Sequence, residues 1–204
     1  MTTDMLAPMP TDPRRLFASA VATALDVTAA VRPDQLDGPT PCTDFDVRHL
    51  LGHLVAVLDR VAAVGRGEDP FSVPFVAQGV PDDGWPAAAT AAARRMAEVW
   101  ADDAVLDRLL RLPFGTLPGA AALASYAGEV TTHTWDLAVA TGQMPEWDPE
   151  VLTVALGAIR QKLPSAERGA QIPFADAVPV AADAPLVDQL VGWQGRDPGW
   201  TAPA

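Results

Sequence analysis

The stretch from Cys42 to Gly65, CTDFDVRHLLGHLVAVLDRVAAVG, constrains the fold more than any other part of the chain. Leu50, Leu54, Val57, Leu58 and Val61 stand three and four residues apart, which gathers them on one side of an α-helix. Thr43 is a candidate N-cap with Asp46 three residues on, a variant of the capping box, and Gly65 and Gly67 mark the end. A helix with such a stripe must bury it against another element.

The rest of the chain offers partners of the same kind. Thr11 can cap a first helix whose opening turn carries Asp12 and Pro13. Leu16, Phe17, Val21, Ala24, Leu25 and Val31 recur along it at helical spacing until Pro33. After a loop over residues 67–84, a third helix is expected from Trp85 to Arg111, with LPFGTLPG as the break behind it. A fourth runs from Gly119 to Thr141 and stops at Gly142. Asp148-Pro149-Glu150 opens a fifth that reaches Leu163. A short extended piece near Phe174 to Val180 and a helical turn over 184–194 complete the pattern. The expected fold is therefore mainly all-α: a four-helix bundle over residues 1–145, with a C-terminal helix and partly extended tail, 146–204, packed on the same domain. Bundles of this type keep their metal and ligand sites in the interior.

Composition excludes several functions. Fourteen basic against 26 acidic residues leave a net charge of −12. Affinity for nucleic acid rests on basic residues, so DNA and RNA are poor partners, as is an anionic membrane surface. One cysteine, Cys42, permits no internal disulfide and no cysteine-based metal cluster. No apolar run approaches a membrane span and the start lacks a signal-peptide pattern, so a cytoplasmic location is expected.

The chain holds three histidines, and one of them, His133, follows Glu129 by four residues inside the fourth helix. A carboxylate and an imidazole at that spacing share a helical face. His53 sits at the edge of the second helix's core stripe. If the two helices face each other, His53, Glu129 and His133 can meet around one divalent cation. Two neutral nitrogens and one anionic oxygen leave a fourth position open on zinc, the composition of a catalytic site rather than a structural one. The same spacing also suits a solvated Glu–His pair, and spacing alone does not choose between them.

TPCTDFDVRHLLGHLV, followed some 80 residues later by EVTTHTWDLAVATG and closed by GRDPGW, resembles the actinobacterial metal-binding proteins related to mycothiol-dependent maleylpyruvate isomerase, within the DinB/YfiT-like superfamily of thiol S-transferases. The resemblance implies a DinB-like bundle that holds a divalent metal, usually zinc, on His53, Glu129 and His133, with mycothiol or a similar small thiol as co-substrate. The maleylpyruvate isomerases carry a further C-terminal domain, for which the 60 or so residues here are too few; maleylpyruvate is therefore a doubtful substrate. His49 replaces a residue that is usually acidic in the relatives and is expected at the pocket rim.

Asp136, three residues after His133, can accept the free ring N–H of a metal-bound histidine. Trp135 and Tyr126 suit either a pocket wall or the core. Cys42 precedes a helix start, yet no histidine is evidently placed to deprotonate it, and packing is its expected role. Arg48, Arg60, Arg94 and Arg95 could meet carboxylates of a ligand or face solvent. The expected activity is metal-dependent thiol transfer or isomerisation between a small-molecule thiol and an electrophile, by a monomer or homodimer. The alternatives are metal-assisted hydrolysis and a non-enzymatic metal- or ligand-binding bundle.

Overall fold

The computed structural model describes residues 12–166, 168 and 174–202. Seven α-helices account for most of them: α1 Pro13–Ala29, α2 Val47–Arg66, α3 Trp85–Trp100, α4 Ala104–Asp107, α5 Gly119–Ala140, α6 Pro149–Lys162 and α7 Leu186–Trp193. One antiparallel hairpin, β1 Leu109–Leu112 and β2 Gly115–Pro118, lies between α4 and α5. Helices α1, α5, α2 and α3 each pack on the next and α3 closes back on α1, forming the expected four-membered bundle. α6 rests on α5 and α1, and α7 on α6 and α5. A small second core of Leu152, Ala155, Leu156 and Leu190, flanked by Trp147 and Trp193, joins these last two helices. No helix among the described residues is long and apolar enough to cross a membrane.

α2 is the centre of the molecule. From Leu50 to Gly65 all its residues but Asp59 are buried, because α3, α5 and the loop of residues 74–77 cover the sides that an amphipathic stripe alone would leave wet. Its start lies three residues later than expected. Asp46, not Thr43, is the N-cap, accepting from His49 N at 2.7 Å. Residues 42–45 instead form a turn closed by Phe45 N to Cys42 O and by the Thr40 hydroxyl on two carbonyls. Gly65 does not end the helix either. It brings α3 close, since a Cβ there would meet Trp100 Nε1 at 2.8 Å; Gly67, at φ +84°, makes the stop.

One other expectation is corrected. The third helix ends at Trp100 rather than Arg111: Asp102 draws the chain into a turn through Ala104 N, and residues 109–112 bury only Leu110 and Leu112, the two-residue period of a strand. The segment 174–180 is non-helical and is held by two backbone bonds, Ala177 N to the Ser165 carbonyl and Val178 N to the Gly192 carbonyl. Asp12 caps α1 through Arg14 N, and the expected cap Thr11 lies outside the described residues.

Candidate metal centre

His53 leaves α2 toward α5 with only 3% of its side chain exposed. Phe45 stacks on the ring at 5.1 Å, and Phe75 lies tilted against it at 4.6 Å. Its Nδ1 donates to the Phe75 carbonyl at 2.9 Å, so Nε2 keeps its lone pair for the interior. Burial, with the nearby charge of His133, pushes its pKa down to about 3, despite the Phe75 carbonyl. The imidazole is neutral across the physiological range.

Gly52 makes that anchor possible. A Cβ at Gly52 would stand 2.6 Å from Val76 Cγ1 and 2.8 Å from the Ala77 carbonyl, and Ala77 N bonds the Gly52 carbonyl at 2.9 Å. The loop therefore lies directly on the helix and delivers Phe75 to His53. Gly52→Ala should push the loop outward and cost 1–3 kcal/mol, roughly the penalty of overpacking, readable by denaturant unfolding.

Glu129 and His133 come from consecutive turns of α5. The Glu129 carboxylate is 3.8 Å from His53 Nε2, too long for a hydrogen bond, and among the described residues no protein donor hydrogen-bonds it. Desolvation raises its pKa against the pull of His133 and Arg60. The His133 ring stands 4.8 Å from that of His53, nearly perpendicular. Its Nδ1 faces Asp136 Oδ2 at 3.1 Å, and Asp136 is wholly buried. Burial alone would lower the His133 pKa, but hydrogen bonds to Asp136 and Cys42 overcome it and lift the value to about 9.

The three residues singled out in the sequence thus lie beside one another between α2 and α5, but their ligand atoms are not all within 4.8 Å of one another. Among the described residues, only Cys42, His133 and Asp136 each offer one atom that close to the others. Asp136 is a poor ligand in that set. Arg196 donates to both of its oxygens, Nε to Oδ1 at 3.3 Å and Nη2 to Oδ2 at 3.1 Å, and a cation would have to displace a guanidinium. The Glu129 carboxylate carries no such partner, and both His53 and His133 have Nδ1 occupied; Nε2 is free on His53 and becomes free on His133 once its second proton leaves. On donor chemistry the His53, Glu129 and His133 group fits a divalent cation better.

Sequence reasoning missed two participants. Cys42 was expected to have no histidine evidently placed beside it, whereas its Sγ lies within 4.8 Å of a His133 ring nitrogen. Arg196 arrives from the tail, 60 residues away in sequence, and no local spacing signals it. Other candidates fall aside. His49 is exposed and bonds Asp46, Arg48 pairs with Asp82 and Asp37, and Arg95 pairs with Asp59. Arg60 is buried below Phe75, its Nη2 on the Pro74 carbonyl. Trp135 is buried, 4% exposed. Tyr126 is buried too, and among the described residues its hydroxyl has no hydrogen-bond partner. Tyr126→Phe should accordingly raise stability by about 1 kcal/mol, seen as a higher unfolding midpoint, because it removes a desolvated and unbonded group.

Residues 17–138 match the family described as the mycothiol maleylpyruvate isomerase N-terminal domain. Two uncharacterized proteins of Mycobacterium tuberculosis, from strains CDC 1551 / Oshkosh and ATCC 25618 / H37Rv, are each 37% identical over 169 residues, 82% of this chain and 88% of theirs. No solved structure matches. The chain belongs to the mycothiol maleylpyruvate isomerase N-terminal domain family.

Proposed function

We propose that this protein binds a divalent cation, zinc by preference, through His53, Glu129 and His133, and uses it to join a small-molecule thiol to an electrophile. The observation that carries the reading is the state of the two imidazoles. Each is oriented by a hydrogen bond at Nδ1, to the Phe75 carbonyl and to Asp136, and an unbonded carboxylate stands beside them. Ring orientation is thus set in advance, so that binding metal asks only that the three groups draw closer and that His133 release its second proton. A cation at these groups would supply Lewis acidity, lowering the pKa of a thiol that shares it.

The protein's own groups do the rest. Phe45 and Phe75 flank His53 and keep water from its sides. Asp136, itself held by Arg196, keeps the His133 ring in one orientation. The thiol is the nucleophile: its proton passes to solvent, and its sulfur bonds to the β-carbon of an activated alkene as the C=C π bond breaks and its electron pair moves onto the adjacent carbon. Protonation of that carbanion by solvent gives a conjugate; rotation about the former double bond and expulsion of the thiolate re-forms the alkene as its isomer. Mycothiol is the thiol the family name points to.

The test is a screen of mycothiol and other small thiols against electrophiles, with and without chelator. A thioether or isomerised product formed only by the metal-loaded protein supports the proposal. Equal rates after metal removal end it, and a cleaved ester or amide in place of an adduct assigns the site to hydrolysis.

A further inference from the structure

We infer that Arg196 is a positioning residue of the His133 ligand, and that the C-terminal tail is thereby part of the metal centre. The inference rests on the metal-binding reading above. It concerns residues beyond the matched domain, which ends at residue 138.

The tail reaches the centre through a built path. α7 ends at Trp193, and Gly195, at φ +82°, turns the chain where a Cβ would meet the Ala175 carbonyl at 2.7 Å. Arg196 N then bonds the Val191 carbonyl at 3.0 Å. Beside it, Gln194 Nε2 donates to the Thr132 hydroxyl at 2.5 Å, clamping the tail to α5 next to His133. The guanidinium, only 11% exposed, donates to both oxygens of Asp136 and, through Nη1, to the Gln194 carbonyl.

The physical consequence concerns one carboxylate. Asp136 has no exposure and takes the His133 ring N–H on Oδ2. Without Arg196 it would be a buried anion with a single partner, free to swing about that bond. That freedom loosens the ring that must present Nε2. Arg196 fixes both oxygens at once, which a lysine cannot do from one nitrogen. Because such coupling is reciprocal, an occupied metal centre must also hold the tail more firmly.

The full-length protein can be tested by chelator competition with zinc at fixed pH. Arg196→Met should weaken zinc binding about tenfold, the lower end of what outer-sphere partners of metal-bound histidines contribute. Arg196→Lys should fall between the two, and it provides the reading if the methionine variant folds poorly. Asp136→Asn should weaken binding ten- to a hundredfold by the same reasoning when both proteins are compared above pH 9, where no His133 proton competes. Adding Arg196→Met to it should then change little, within roughly threefold, because the arginine acts through the carboxylate already removed. A merely structural arginine would keep its full effect in that background. Zinc should also slow hydrogen exchange at the Arg196 amide by about the factor that Arg196→Met costs in affinity. Wild-type and Arg196→Met affinities within twofold overturn this inference alone. A wild-type protein that takes up no zinc overturns the metal reading and this inference with it.

Discussion

Zinc at a thousand times its dissociation constant should raise the unfolding free energy by about 4 kcal/mol, and Glu129→Gln should abolish that gain while leaving the metal-free protein as stable as before, or more so. The second half is the discriminating part. Glu129 is a carboxylate whose charged form is disfavoured by its surroundings, and among the described residues no protein donor hydrogen-bonds it. Replacing it with a neutral amide of the same shape removes a cost rather than a contact. A residue kept at an expense to the empty fold, whose loss is felt only when metal is present, behaves as a ligand. His133→Ala and His53→Ala should abolish the zinc gain too, but each also empties space in a buried region and lowers metal-free stability. Differential scanning of the three variants with zinc and with chelator separates the cases. Zinc stabilisation retained by Glu129→Gln and by His133→Ala would sink the assignment.

The bundle was open to sequence reasoning because its helices carry their own boundaries. Pro149 behind Asp148, Gly142 after Thr141 and the apolar spacing in α2 are local signals, and local physics enforces them. The hairpin escaped because residues 109–112 read Leu-Leu-Arg-Leu, where the exposed Leu109 hides the alternation of burial, and four residues are too few to outweigh the helical run before them. The start of α2 was misplaced because Thr43 and Asp46 both suit a cap, and only the Thr40 hydroxyl, bonding carbonyls two and five residues on, commits the intervening turn. The centre divided in the same way. Glu129, His133 and Asp136 lie within two turns of one helix, so their spacing brings them together wherever the helix goes. The Phe75 carbonyl, Cys42 and Arg196 arrive from a loop, a turn and the tail. Their meeting depends on packing, which a periodic pattern does not encode.

Zinc affinity should climb about tenfold per pH unit through pH 7 to 8 and level off above about 9. A ligand histidine must be neutral to bind, and in the metal-free protein His133 carries its proton up to about pH 9, held by Asp136 and Cys42 against the cost of burial. Uptake of metal at neutral pH therefore expels that proton, and each unit of acidification below 9 makes the expulsion tenfold harder. His53 adds nothing to this slope, since with a pKa of about 3 it is already neutral. Glu129, with its raised pKa, steepens the dependence toward the acid end. The same two histidines set opposite limits on the metal-free fold. The raised pKa of His133 contributes stability that is complete below about pH 6.5 and lost as pH rises to 9. The depressed pKa of His53 contributes stability that is complete above about 6.5 and lost as pH falls toward 3. From these two groups the metal-free protein is most stable near pH 6.5, where it also binds zinc well below its maximum affinity. Asp136→Asn removes the carboxylate that holds the His133 proton and should flatten the affinity slope between pH 7 and 9. Chelator competition across that range measures it, and an unchanged slope in the variant would place the released proton on some other group.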